Sequence, residues 1–348
     1  MLAVTSQGPQ LISVEDVPRP GLEANTDALV RVTTSALCGT DLHIYHGKVP
    51  NVPQGWIVGH EFCGVVEDVG DAITEFSPGD RVVSSMYVAC GRCPACVAGD
   101  HRRCGKFQMF GMGAAWGNLP GGQAEYVRVP LADMTLRSIP QQLSDESTIF
   151  TGDILATAFT ALRQSAIVEG DTIAIVGAGP VGELLAMCAP IFGAGQVFVI
   201  DIVPERLESV KKFGAVTIDS REQDPRRLIK EATGGLMCDA VFEAAGNEPA
   251  MRTAFALPRP NGAVVLVGIL VDEHLPLTAG ELWLRNTRVI PVLGAPYNHR
   301  DELLRLIAAG KVDAAQIITD RLPLSAAAEA YAAFDRKELQ KAIFEVAA

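Results

Sequence analysis

The stretch DTIAIVGAGPVGELLAMCAPIFGAGQVFVID, residues 171–201, leaves few folds open to this chain. TIAIV is a continuous apolar run, the pattern of a strand buried on both faces of a parallel sheet. Gly177, Gly179 and Gly182 follow at G-x-G-x-x-G spacing, and PVGELLAMCAPIF reads as a helix opened by Pro180 and Val181. Pro190 should end or kink the last turn of that helix. QVFVI is the next strand, and Asp201 closes it. A strand, a glycine turn, a helix and a second strand with an acidic end make a βαβ unit suited to a dinucleotide. The glycines permit the tight turn and let the backbone approach a pyrophosphate at the helix N-terminus. Asp201 is placed to accept hydrogen bonds from the adenosine ribose, and its charge opposes a 2′-phosphate, which predicts NAD over NADP. As a plain cap before VPERLESVKKFG it would need no ligand; its place at the strand end favours the ribose. Arg206, in the helix that follows, joins the predicted cofactor set.

The alternation continues. PERLESVKKF, with a proline start and Gly214 behind it, predicts a helix; CDAVFEAAG and GAVVLVGIL predict strands, with the helical EPAMRTAFAL between them. This is a doubly wound parallel sheet over residues 153–292. The first 150 residues differ: ALVRVTTSAL, FCGVVEDVG, DRVVSS and QAEYVRVP are short β-rich runs separated by turn signals such as SPGD, the pattern of a twisted, partly open β-barrel.

A net charge of −12 argues against a nucleic-acid partner. No apolar run approaches the about 18 residues that span a bilayer, and MLAVTSQGPQLISVEDVPRP lacks the basic start and apolar core of a signal peptide. A cytoplasmic protein with no membrane partner is expected. In a reducing compartment clustered cysteines point to metal or catalysis rather than disulfides. Four of the eight cysteines, Cys90, Cys93, Cys96 and Cys104, stand at C-x2-C-x2-C-x7-C in a lobe over residues 89–105. Gly91, Pro94 and Gly99 supply turns that let four thiolates converge on one Zn²⁺. Four protein ligands leave no open position, so such a zinc is structural. A [4Fe–4S] cluster takes the same four ligands, although nothing else in the sequence points to electron transfer.

Other metal-ligand types lie outside the lobe. ALCGTDLHIYHG holds Cys38, Asp41, His43 and His46 in one short loop; IVGHEFCG holds His60, Glu61 and Cys63; IFTGDILATAFTAL carries Asp153 ahead of an apolar segment. Alone, each is as readily a packing residue as a ligand.

Together with CGTDLH, GHEFCGVVEDVG, PGDRV, the four-cysteine lobe, GGQAEYVRVP, GAGPVG and LQKAIFEV, in this order along essentially the whole chain, they resemble the zinc-dependent medium-chain alcohol dehydrogenases. The resemblance implies a GroES-like twisted β-barrel catalytic domain, residues 1–152 and 293–348, and a Rossmann nucleotide-binding domain, residues 153–292. It implies that Cys38, His60 and Asp153 bind a catalytic zinc with a position left open, that Glu61 lies near that metal and joins it in some states, and that Asp41 orients His60. It places Thr40 and His43 on a proton relay and Lys341 on the cofactor pyrophosphate. Cys63 has no role in it and reads as a buried small residue.

The expected activity is reversible hydride transfer between an alcohol, secondary or polyol-like, and NAD, giving a ketone or aldehyde. It uses two zinc ions per chain, one catalytic and one structural, and the resemblance also implies a homo-oligomer, dimer or tetramer. An amino-alcohol or aminosugar substrate, as in threonine dehydrogenase, remains open. A zinc- or redox-sensing regulator would leave Cys38, His60, Asp153 and the glycine turn unexplained. A structural NAD-binding subunit would leave the intact ligand set unexplained.

Overall fold

The computed structural model describes residues 1–268 and 275–346. They divide into two compact units, Met1–Asp153 with Ala295–Ala348, and Ile154–Gly294. Among the described residues no helix is long and apolar enough to cross a membrane.

The first unit is built on a seven-stranded sheet. Its path runs Leu136–Ser138, Arg81–Ser84, Glu61–Val69, Ala28–Ala36, Ala342–Glu345, Asp320–Pro323, and Tyr126–Val129 also pairs with Ala28–Ala36. Ala28–Ala36 is central because one register brings distant segments together: Ala36 lies opposite both Glu61 and Ile343. This sets the loop of Cys38, the His60–Glu61 strand start and the C-terminal strand side by side. The register slips between Val32 and Thr34, a bulge that bends the strand where the site begins. Val30, Val32, Phe62, Val66, Phe110 and Phe344 are among the side chains of the unit's core.

Gly152 decides where Asp153 falls. A Cβ on Gly152 would stand 1.9 Å from Ser84 O, and its carbonyl accepts a hydrogen bond from Met86 N at 3.0 Å. Backbone is clasped against backbone there, with no side chain able to yield. Gly152→Ala is therefore expected to cost about 2–3 kcal/mol and to lower the metal content of the Cys38–His60–Asp153 group. Thermal unfolding and metal analysis check this, and wild-type values in both would mean that the clasp relaxes freely.

The second unit holds a six-stranded parallel sheet in the order Val216–Asp219, Gln196–Asp201, Thr172–Val176, Cys238–Glu243, Pro258–Leu266, Arg288–Pro291. Of the predicted run GAVVLVGIL, the last two residues, Ile269 and Leu270, lie outside the described residues. The helix after the glycine turn spans Pro180–Cys188 and tightens into a 3₁₀ turn over Ala189–Phe192, where Pro190 has no N–H to continue it. The helix Pro204–Val210 likewise ends in a 3₁₀ turn closed by Gly214 at φ 78°. The strand order reverses between Thr172–Val176 and Cys238–Glu243, the crevice where open α/β sheets bind ligands.

Candidate active site and metal centres

The loop of Cys38 is not a loop throughout. Asp41–Tyr45 forms a short helix, and Asp41, fully buried at its first position, accepts the Cys38 N–H on Oδ2 at 3.0 Å. That bond folds the chain back on itself and turns Cys38 toward His60 and Asp153. Cys38 Sγ lies 3.7 Å from Asp153 Oδ2, and His60 Nε2 lies 3.1 Å from the same oxygen. All three side chains are buried, with their ligand atoms within 4.8 Å of one another.

Ligand atoms on a tetrahedron with bonds of about 2.0–2.3 Å stand roughly 3.3–3.7 Å apart, so the triad has the dimensions of a zinc site. Both His60 nitrogens are buried and face carboxylates, Nδ1 at Asp41 and Nε2 at Asp153, without a well-formed hydrogen bond to either, and a cation between Nε2 and Asp153 would satisfy the second. The electrostatics agree. Burial first, then the charges of Glu61 and Asp153, raise the Cys38 thiol. His60 is pulled down by burial, but the Asp41 charge and contacts with Asp153, Asp41 and Cys38 outweigh that and raise it well above its usual value. Donors this avid for positive charge, converging on one point, fit a divalent cation.

Asp41 stands behind His60, with Oδ1 3.2 Å from Nδ1. Its other oxygen also receives Gln123 Nε2 at 3.3 Å, and Tyr331 donates to Gln123 Oε1 at 2.8 Å. Asp41 is thus held by two donors on one oxygen, one of them braced by Tyr331, while the other oxygen faces the imidazole. Gln123 and Tyr331 were not singled out from sequence. Gln123 lies in the GGQAEYVRVP run, but a buried amide in a polar stretch carries no local signal of its partner.

The four cysteines converge as expected. Cys90, Cys93, Cys96 and Cys104 bring their sulfurs within 4.8 Å of one another, with Cys90 and Cys96 4.0 Å apart. That space holds one ion, not four irons with bridging sulfides, so the iron–sulfur alternative does not fit. Cys104 Sγ accepts N–H groups from Cys90 and Lys106 at 3.3 Å each.

In the second unit Gly177 has φ 107°, and a Cβ on Gly182 would stand 1.8 Å from Gly177 O, so the helix packs directly onto the turn. Gly179 caps the helix that Pro180 and Val181 open. Asp201 Oδ2 accepts Ala178 N at 2.6 Å, and Oδ1 accepts Ile202 N and Val203 N. The Arg206 guanidinium lies 3.9 Å from where a Gly179 Cβ would be.

Two domain models match the chain: an alcohol dehydrogenase GroES-like domain over residues 24–141 and a zinc-binding dehydrogenase domain over residues 180–309. The zinc-type alcohol dehydrogenase-like protein AdhB of Bacillus subtilis, itself uncharacterised, is 31% identical over 97% of this chain and 97% of its own. This chain belongs to the zinc-dependent medium-chain alcohol dehydrogenase family. A solved alcohol dehydrogenase, TADH from Thermus sp. ATN1, superimposes with a TM-score of 0.95 over 100% of both chains at 38% identity. A sorbitol dehydrogenase of Bacillus subtilis is 33% identical over 93% of this chain and 90% of its own.

One expected site residue of this dehydrogenase has an anionic partner within its own unit. Lys341, placed at the pyrophosphate by the resemblance, is 1% exposed. Its Nζ donates to Glu61 Oε2 at 2.5 Å and Leu37 O at 2.9 Å and sits 5.0 Å over the Phe150 ring. A lysine this deep persists only with an anionic partner, and Glu61 is that partner. Glu61 itself is engaged by Lys341 through one oxygen, while Oε1 is buried without a hydrogen bond. Thr40 Oγ1 lies 3.6 Å from Cys38 Sγ, beside the triad, and His43 follows on the same short helix, half-buried. Burial, Lys48 and His46 lower the His43 pKa, which favours the neutral ring. Cys63 is buried against Asp145 and Thr148, away from this chemistry.

Proposed function

We propose that this protein is an NAD-dependent alcohol dehydrogenase acting on secondary alcohols or polyols, with one catalytic and one structural zinc per chain. The observation that carries the reading is the buried Cys38–His60–Asp153 triad: three ligands of zinc type at zinc spacing, with a fourth position left for substrate. A zinc held there would supply a Lewis acid that makes an alcohol hydroxyl more acidic, and a bound NAD would supply the hydride acceptor. The chain's own residues do the rest. Asp41 fixes the orientation of His60. The Thr40 hydroxyl, next to Cys38, takes up the proton that leaves the alcohol, and His43 stands at the outer end of the path to solvent. Lys341 holds Glu61 in place beside the triad. The kinship with a sorbitol dehydrogenase supports a polyol-like substrate. A cytoplasmic homo-oligomer with a small alcohol or carbonyl as its partner completes the proposal.

NAD reduction by the purified protein against primary, secondary, polyol and amino alcohols, alongside zinc content, tests it. Turnover confined to secondary or polyol substrates with two zincs per chain supports the reading; no turnover on any alcohol overturns it. Asp201→Ser tests the cofactor. Losing three accepted N–H bonds loosens the turn for both dinucleotides, so the readout is their ratio. The NAD/NADP preference is expected to fall at least about tenfold, and an unchanged ratio would remove Asp201 from cofactor selection.

A further inference from the structure

Among the buried acids that the mechanism above leaves unused, one stands at the end of a central strand of the second unit's sheet. Glu243 ends the strand Cys238–Glu243 at the point where the sheet order reverses, and it is 0% exposed. Its side chain curls forward over its own turn: Oε1 accepts Ala245 N at 2.9 Å and Gly246 N at 2.8 Å, while Oε2 has no hydrogen-bond partner. Burial raises this carboxyl against the pull of those two N–H groups. No cation is paired with it among the described residues.

The turn it holds meets two others, backbone to backbone. Ala244 N donates to Val176 O at 2.8 Å, and a Cβ on Gly177 would stand 3.0 Å from Ala244 C and Ala245 N. On the other side, Val267 N and Gly268 N donate to Glu243 O at 2.8 and 2.9 Å. A Cβ on Gly268 would stand 2.3 Å from Gly246 N and 2.7 Å from Glu243 Oε2. The segments after three neighbouring strands are thus tied together through their backbones at the crevice where a doubly wound sheet takes its ligand, and the Glu243 carboxylate fixes the shape of the middle turn, residues 244–246.

We propose that Glu243 is a positioning residue for the dinucleotide: by fixing residues 244–246 against Gly177 and Gly268 it sets cofactor affinity and leaves the chemical step alone. This rests on the dinucleotide reading of the glycine turn. The geometry needs an acceptor at Oε1 rather than a charge, so glutamine can replace the carboxylate and alanine cannot.

The experiment is a fluorescence titration of the zinc-loaded protein with NADH and with NADPH, for wild type, Glu243→Gln and Glu243→Ala, beside thermal unfolding, zinc content and kinetics. Glu243→Ala is expected to weaken binding of the preferred dinucleotide at least about tenfold and to raise its KM in proportion. Its kcat at saturating cofactor and its zinc content should stay within threefold and unchanged, respectively, and Glu243→Gln should bind within threefold of wild type. Wild-type affinity in the alanine variant, or equal loss in both variants, overturns the proposal, as does a fall in melting temperature with affinity intact. Should the alanine variant not fold, Gly268→Ala strains the same contact from the other side. At least tenfold weaker binding there supports the proposal, and unchanged binding overturns it. A wild type that prefers NADPH refutes only the Asp201 reading, and the variants are then read with NADPH. A wild type that binds neither overturns the dinucleotide reading and this proposal with it.

Discussion

Cys38→Ser is expected to empty the open triad of metal and to cut turnover at least about a thousandfold, while the four-cysteine lobe stays loaded. A serine hydroxyl is shorter than a thiol and does not ionise at neutral pH, so it cannot replace a thiolate ligand. The remaining ligands, His60 and Asp153, lie 3.1 Å apart and would be left as a two-ligand site. Cys38 is buried, but its backbone N–H still binds Asp41 Oδ2, so the local fold should survive the exchange. Metal analysis should then read two zincs per chain in wild type and one in the variant, with near-equal melting temperatures. Two zincs and normal turnover in the variant would sink the assignment. One zinc in both, with no turnover in either, would mean that the triad holds no metal and that the lobe alone does.

Much of this site was legible because its signals are local or periodic. The glycine turn lies within one βαβ unit, and the four cysteines lie within one lobe, so spacing alone carries their chemistry. The triad is different: Cys38 and Asp153 stand 115 positions apart. No periodicity joins them; only the resemblance did, and the register of Ala28–Ala36 with Glu61–Val69 together with the Gly152 clasp explains physically why they meet. Lys341 shows where such reading stops. Its sequence context announces a cation but not a direction, and a lysine at the head of a strand reads as ready for an anionic ligand. Folding also supplies an internal anion, because the strand Ala342–Glu345 lies beside Ala28–Ala36, whose far neighbour begins at Glu61. Glu243 was silent for a similar reason. In CDAVFEAAG it looks like an ordinary polar strand end, and only the three-dimensional turn reveals two N–H groups closing on one oxygen.

The largest effect on stability is expected from Cys96→Ser, and the reason is the composition of the lobe. Its apolar cluster consists of Ala89, Cys96 and Cys104, flanked by Cys90, Cys93 and Tyr297. Sulfur makes up most of it, so without a bound ion the lobe has little to collapse around. Tyr297 is the link to the rest of its unit. Its hydroxyl donates to Tyr87 O at 2.5 Å, its ring stacks 4.8 Å from His101, and neighbouring Asn298 donates to Gly99 O at 3.1 Å. One turn on, Arg300, 1% exposed, donates to Ser85 Oγ at 2.6 Å and Thr135 O at 2.8 Å, beside the Met86 N–H that clasps Gly152. Loosening the lobe therefore frees Tyr297 and strains the hydrogen bonds of the buried Arg300 guanidinium. Loss of one ligand should release the lobe zinc and cost about 4 kcal/mol or more, a fall in melting temperature of roughly 10 °C. NADH binding should persist in whatever protein remains folded, because the glycine turn belongs to the other unit. Unfolding followed with and without a chelator, beside zinc content, separates the outcomes. If the variant kept its stability and lost only turnover, the four-cysteine site would be part of the chemistry and not a staple for the fold.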